Sequence, residues 1–189
     1  GALVSTQASY LWLDGRSAKT APAAAPAPSA KSLAFTSCKA SQQTQIATAV
    51  TNATAYAGNA SAYLGANNQG PRYTTWFGVY NSGRYNTVAS HFSALNTAFN
   101  NANIVVDCSC RKKNTYAYVY ANQPYKIYVC GAFWSAPATG TDSKAGTLVH
   151  EMSHFNVVAA TDDHVYGQSA CRGLATSQSA ALRMTSFTA

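Results

Sequence analysis

The residues best suited to chemistry in this sequence are two histidines that flank the chain's single glutamate. They form the pentapeptide His150-Glu151-Met152-Ser153-His154. Residues four apart share one face of a helix, so both imidazoles can reach one metal ion while the backbone stays regular. The glutamate between them would lie beside a water on that metal and could take its proton. The pattern predicts a zinc-dependent hydrolase site.

A catalytic zinc needs three protein ligands and one open position, so a third ligand must lie elsewhere in the chain. A glutamate ligand on a later helix is excluded, because no glutamate follows Glu151. A continuation as x-x-Gly-x-x-His is excluded as well, because Val157 and Ala160 occupy those two positions. The donors that remain downstream are Asp162, Asp163, His164 and Cys171. Carboxylates bind zinc strongly at neutral pH, so the aspartates are favoured, although spacing alone does not rank the two.

Composition narrows the class of protein. The chain has 189 residues, of which 47% are hydrophobic, enough for the core of one domain. Its net charge of +7 reflects only six acidic residues, and its basic run, Arg111-Lys112-Lys113, reads as a solvated turn rather than a nucleic-acid stripe. No stretch has the length and apolar character of a membrane span. We expect a monomer whose partner is a protein or peptide substrate, with neither nucleic acid nor membrane.

The cysteines indicate an oxidising compartment. Cys108 and Cys110 are too close in sequence to suit each other, so each is expected to reach Cys38 or Cys130. Cys171 is left over, either buried and inert or available to link chains. Two glycosylation sequons fit the same compartment: Asn52-Ala-Thr54 and Asn59-Ala-Ser61. The sequence therefore predicts a secreted, extracellular protein.

The chain divides into two parts. Residues 1–16 read as extended, and residues 17–32 form a low-complexity linker rich in proline and alanine. We interpret 1–33 as a pro-segment remnant with its linker and 34–189 as the enzymatic domain. A disordered tail without function is the alternative for the first part.

Hydrophobic periodicity predicts the elements that must position the motif. In chain order these are helices over Lys39–Asn67 and Asn81–Asn100, strands Ile104–Cys108, Thr115–Ala121 and Lys126–Cys130, a motif helix over Thr147–Phe155 and a final helix over Tyr166–Ala181. A loop, Ala136–Gly146, leads into the motif helix. The alternating tyrosines at 116, 118 and 120 could form a stacking platform for sugars or bases, but a half-buried sheet face is favoured. The order predicts an α+β domain, mainly helical, with a small sheet that contains antiparallel strands.

The stretch from His150 to Gly167 resembles the aspzincin metalloendopeptidases, the deuterolysin family. Their signature is His-Glu-x-x-His followed by Gly-Thr-x-Asp-x-x-Tyr-Gly, and alignment on Thr161 and Tyr166-Gly167 places the third ligand at Asp163. Within the family the chain is similar to the fungal peptidyl-lysine metalloendopeptidases. The similarity covers about residues 36–184 and includes Pro71-Arg-Tyr-Thr-Thr-Trp-Phe-Gly78, Cys130-Gly-Ala-Phe-Trp134 and Ala145-Gly-Thr-Leu-Val149.

The resemblance implies a zincin-like fold and an endopeptidase that uses a Glu-activated, zinc-bound water. It implies one zinc ion per chain, held by His150, His154 and Asp163. Glu151 would be the general base and Tyr166 a donor to the oxyanion. The implied disulfides are Cys38–Cys108 and Cys110–Cys130, and the mature domain would begin near Ala34.

The chain departs from the family pattern at three places. Ala160 replaces the glycine before Thr161 and is expected to disfavour a turn with positive φ. Cys171 has no family partner. After Met184 the chain reads Thr185-Ser-Phe-Thr-Ala189, where the lysine-specific members resemble one another in an acidic segment that holds the substrate lysine. We therefore expect a C-terminal end that is truncated or divergent, and a weakened preference for cleaving before lysine. A catalytically impaired binding or storage domain is the alternative function.

Overall fold

The computed structural model describes residues 3–5 and 32–176. Its elements in chain order are β1 Leu3–Ser5, β2 Ser32–Thr36, α1 Ala40–Gly65, α2 Pro71–Phe77, α3 Ser82–Asn101, β3 Asn103–Asp107, β4 Ala117–Val119, β5 Lys126–Val129, α4 Gly131–Ser135, α5 Lys144–Ser153 and α6 Gln168–Ala175. The predicted α+β class is confirmed. Among the described helices, none combines the length and apolar character that crossing a bilayer requires.

The strands form one mixed sheet in the order β1-β4-β5-β3-β2. β2, β3 and β5 run parallel to their neighbours, whereas β4 is antiparallel both to β5 and to β1. β1 and β2 therefore form the two opposite edges of the sheet. The predicted antiparallel component resides in β4.

Alternation along the strands separates the two faces of the sheet. Val106, Val119 and Ile127 are fully buried in the core, which includes the residues of α1, α3 and α5. On the other face, the rings of Tyr118 and Tyr128 stack with centroids 4.7 Å apart. Both tyrosines are half-buried, so the prediction of a half-buried sheet face is confirmed.

The two long helices lie within two residues of their predicted ends. The buried residues of α1 recur at helical spacing, and the side chain of Asn81 caps α3 by accepting a hydrogen bond from the Arg84 N–H at 3.0 Å. The sequence analysis missed α2 and α4, which are seven and five residues long. Such short helices show too few turns for periodicity to reveal them.

Two disulfides tie the sheet together, and both match the pairing that the resemblance implied. Cys38–Cys108 joins the chain beyond β2 to the chain beyond β3, and Cys110–Cys130 joins the following loop to the end of β5. The thiol of Cys171 is free and buried. Burial raises its pKa to about 11, which favours the inert interpretation over a link between chains.

The motif helix begins earlier than predicted, at Lys144 instead of Thr147. The reason is a cap, because the Ser143 hydroxyl accepts a hydrogen bond from the Gly146 N–H at 3.1 Å. The Lys144 ammonium is buried and donates hydrogen bonds to the carbonyls of Trp134 and Ala136. These bonds attach the start of α5 to the chain around α4.

Three other predictions concern element boundaries. The final helix, α6, begins at Gln168, two residues later than predicted. The predicted part of that helix beyond 176, the residues from Met184 onwards and most of the linker lie outside the described residues. The proposed boundary between 33 and 34 falls inside β2.

Candidate metal centre

Helix α5 positions two imidazoles at one point. His150 lies in its last turn, and His154 follows its last residue with backbone angles that still fall in the helical region. The spacing of four residues therefore keeps both side chains on one face. Their Nε2 atoms are 3.0 Å apart, and both residues are buried.

Asp163 completes the cluster from the loop after the helix. Its Oδ1 lies 3.1 Å from His150 Nε2 and 3.4 Å from His154 Nε2. Within residues 3–5 and 32–176, this trio is the group of histidine, cysteine and acidic side chains whose ligand atoms converge closely enough for a metal ion. The neighbouring Asp162 is not part of it, so the structure ranks the two aspartates that spacing left open.

The donor atoms fit a tetrahedral zinc ion. Zinc bonds of about 2.0–2.2 Å place neighbouring ligand atoms about 3.3–3.6 Å apart, close to the separations observed here. His154 Nδ1 lies 2.6 Å from the Thr161 carbonyl oxygen, which only accepts hydrogen bonds, so Nδ1 carries the proton. In the neutral ring, Nε2 then presents its lone pair to the cluster, as a metal ligand must.

The charges around the cluster also favour a cation. Burial raises the pKa of the Asp163 carboxyl, but hydrogen bonds and charge from the two histidines outweigh it and hold that pKa well below its usual range. Burial, together with the neighbouring His154, lowers the pKa of His150 to about 4. At neutral pH, Asp163 and His150 are therefore both deprotonated donors.

Glu151 faces no partner that a protein group could supply. It is fully buried, and neither carboxylate oxygen has a hydrogen-bond partner among the residues that the structure describes. Burial raises its pKa to about 8. Because an unsatisfied buried carboxylate is costly, a cation and a water at the adjacent cluster would supply the missing interactions.

Tyr166 stands at the open side of the cluster and is 39% exposed. Its hydroxyl donates a hydrogen bond to Asp163 Oδ2 at 3.0 Å. Partial burial and the Asp163 carboxylate raise the pKa of the Tyr166 phenol well above its usual value. The phenol therefore remains a hydrogen-bond donor over the whole neutral range.

Two hydroxyl side chains support the cluster, and the sequence analysis assigned no role to either. Ser153 Oγ donates to the His150 carbonyl at 2.6 Å and lies 2.6 Å from Thr161 Oγ1. Thr161 Oγ1 lies 3.1 Å from His154 Nδ1. Thr161 belongs to the family signature that aligned the loop, so its position in the pattern was the available signal.

The loop makes the left-handed turn that the alanine was expected to disfavour. Ala160 has a φ of 50°. The Ala160 N–H donates to the Phe155 carbonyl at 3.1 Å, and the Thr161 N–H donates to the Ser153 carbonyl at 3.2 Å. These bonds return Thr161 to the end of α5 and outweigh the cost of about 1–2 kcal/mol for a left-handed alanine. The expectation was therefore wrong.

Comparison with known proteins agrees with this geometry. The fold and the donor set are those of a metallopeptidase domain. Residues 62–184 match the family model described as lysine-specific metallo-endopeptidase, Aspzincin M35. The chain belongs to the aspzincin family.

Individual relatives cover different shares of the chain. An extracellular protease from Aeromonas hydrophila is 48% identical over 172 residues, which cover 87% of this chain and 49% of that protein. The peptidyl-Lys metalloendopeptidase of Pleurotus ostreatus is 47% identical over 148 residues, covering 77% and 87%. The solved zinc peptidase from Grifola frondosa superposes with a TM-score of 0.73 at 43% identity, covering 80% and 91%. The chain thus spans about half the length of the Aeromonas relative.

Proposed function

We propose that this chain is a zinc-dependent endopeptidase, with one zinc ion held by His150, His154 and Asp163. The observation that carries the proposal is the convergence of three deprotonated donors beside a buried carboxylate without a protein partner. An open side next to Tyr166 suits a catalytic rather than a structural site. The relatives described above are named as proteases or peptidases, which supports hydrolysis over the alternative of a binding or storage domain.

When bound, zinc supplies a Lewis acid that polarises the peptide carbonyl and makes water acidic enough to attack at neutral pH. Glu151 is the general base. A carboxylate oxygen accepts the proton of the attacking water and then delivers it to the nitrogen of the leaving amine. A bound cation lowers the Glu151 pKa from its value of about 8 in the metal-free protein and thereby makes the base available.

Tyr166 stabilises the charge that develops on the carbonyl oxygen. Its hydrogen bond to Asp163 Oδ2 holds the phenol beside the donor set, and its raised pKa keeps the proton on the hydroxyl. A donor that turns from Asp163 to the oxyanion acts mainly in the transition state.

The proposed substrates are peptides and proteins, with a preference for cleavage before lysine. The name of the Pleurotus relative supports the preference. Sequencing the new N-termini from a digest of a denatured proteome tests it. Enrichment of lysine at those termini supports the preference, and an unbiased distribution refutes it.

We also propose that the protein is secreted and monomeric, that it binds no nucleic acid, and that residues 1–33 are a pro-segment remnant with its linker. The two disulfides and the extracellular relative support secretion. The low charge content and the absence of a basic stripe support the lack of a nucleic-acid partner.

Glu151→Gln tests the proposed chemistry. The amide keeps the shape of the side chain but cannot accept the proton, so we expect kcat to fall by about 10²–10⁴-fold while one zinc per chain remains bound. Asp162→Asn is the matched control, because this adjacent carboxylate lies outside the donor set. Turnover of a fluorogenic peptide and the zinc content give the readouts. Undiminished turnover by Glu151→Gln would refute the assignment of the base.

A further inference from the structure

Strand β4 has one edge whose partner comes from far away in the chain. Its inner edge pairs with β5, which follows it in sequence. Its outer edge pairs with β1, in the register Leu3 to Val119, Val4 to Tyr118 and Ser5 to Ala117. The outer edge of the antiparallel strand is therefore covered only by a three-residue strand from the start of the chain.

The end of β4 reaches the metal-binding cluster. The carbonyl of Ala121, two residues beyond β4, accepts a hydrogen bond from the Asn156 N–H at 3.0 Å, and Asn156 is two residues beyond His154. Both β4 and β1 also contact α5, the helix that carries His150. A backbone paired with the outer edge of β4 therefore lies alongside the motif helix and leads to the cluster.

The direction of pairing is also informative. β1 is antiparallel to β4, and Leu3 lies opposite Val119, the residue of β4 nearest to Ala121. An extended chain that followed β1 toward its N-terminal side would run toward the cluster. β1 thus marks the path by which an extended peptide paired with β4 reaches the site.

An edge strand offers a row of backbone donors and acceptors that any extended peptide can use. Main-chain hydrogen bonds are independent of the side chains, so this edge suits an enzyme that must bind many peptides. The edge cannot pair with two strands at once. A strand of only three residues is also short enough to be displaced.

We propose that β1 is an intramolecular competitor of the substrate, which occupies the backbone edge of β4 that an extended peptide needs in order to lie across the metal centre. This inference deepens the proposed endopeptidase function and rests on it. Because β1 belongs to the same chain, its local concentration is on the order of millimolar. The apparent affinity for a peptide is reduced by the fraction of molecules in which the edge is open.

A double substitution, L3P/V4P, tests the competition in the full chain. Successive N–H groups of a strand point to opposite sides, so one of the two prolines must remove a donor that faces β4. The matched control is L3T/V4T, which keeps both N–H groups and residues suited to strands. We expect L3P/V4P to lower KM for a fluorogenic peptide about tenfold with kcat unchanged, as for an edge that is open in about one molecule in ten.

Two further readouts separate this inference from the proposed catalysis. Hydrogen exchange over residues 117–119 reports whether the edge has opened, and we expect faster exchange in L3P/V4P than in L3T/V4T. Binding of the same peptide to each variant, in a Glu151→Gln background, reports affinity without turnover. If no variant cleaves peptide, the proposed function fails, while exchange and binding still decide the competition.

The outcomes are distinct. Faster exchange with tighter peptide binding supports the inference. Faster exchange with unchanged binding overturns it, because the freed edge would then not be where the peptide pairs. Unchanged exchange also overturns it, because β1 would then not protect β4.

Discussion

The metal centre is built from two regions that differ in every structural respect. Helix α5 supplies His150, and His154 directly after it, from a segment in which every helical residue is buried. The loop that follows supplies Asp163 and Tyr166 from irregular chain that is only partly buried. The helical half is held by packing on all sides, whereas the loop half is held by hydrogen bonds to the helical half.

This difference separates two ways of placing a ligand. In the helical half, the spacing of four residues itself brings the imidazoles together. In the loop half, the position of Asp163 depends on Thr161, which bonds to Ser153 and His154, and on the left-handed turn at Ala160. Substitutions should therefore damage the two halves in different ways.

Removing one ligand from each half should give the largest effects. We expect His154→Ala and Asp163→Ala both to abolish stoichiometric zinc and peptide hydrolysis. In chelator, however, His154→Ala should lose about 2 kcal/mol more stability, because it leaves a cavity in the buried half. Metal analysis and denaturant unfolding provide the measurements. Equal losses of stability would erase the distinction between the halves.

Tyr166→Phe should give the next largest effect and should act on the loop half alone. We expect kcat to fall by about 10²–10³-fold, because a donor to the oxyanion is lost. Zinc affinity should change by less than tenfold, since Asp163 keeps its contacts with the histidines. Steady-state kinetics and a competitive zinc titration separate the two effects. A large loss of affinity with unchanged kcat would show that the phenol serves only to orient Asp163.

Thr161→Val should weaken the link between the halves. The isosteric side chain removes the hydroxyl beside Ser153 and His154, so we expect zinc affinity to fall by about 10–100-fold. Thr161→Ser keeps the hydroxyl and is the control, with an expected change of less than threefold in the same titration. If both variants bind zinc like the unmodified chain, the backbone bonds of Thr161 suffice to position the loop.

Ala160→Gly should give the smallest effect, and it should be favourable. Relief of the left-handed alanine, about 1–2 kcal/mol, exceeds the entropic cost of glycine, so we expect a gain of about 0.5–1 kcal/mol in unfolding free energy. Ala159→Gly, one residue earlier and without positive φ, should lose stability instead. Thermal unfolding of the zinc-free proteins measures both. A loss in both variants would show that the turn does not strain Ala160.

The same contrast explains what could be predicted from sequence. The helical half followed from spacing, and α1 and α3 followed from periodicity, because each repeats one physical rule over many residues. The third ligand required the family signature, since Asp162 and Asp163 are equivalent to any rule of spacing. The turn at Ala160 was predicted wrongly, because the local preference of one residue was overridden by hydrogen bonds from residues near the end of α5.

The placement of β1 has a consequence for colloidal behaviour. Edge strands with free backbone groups are templates for association between molecules, and proteins protect them with short or covering segments. Cleavage at the predicted boundary between 33 and 34 would sever β1 from the domain and leave β4 as the edge of a four-stranded sheet. Processing there would exchange protection against self-association for access to the cleft, so a processed preparation should be more prone to aggregate until a peptide covers β4.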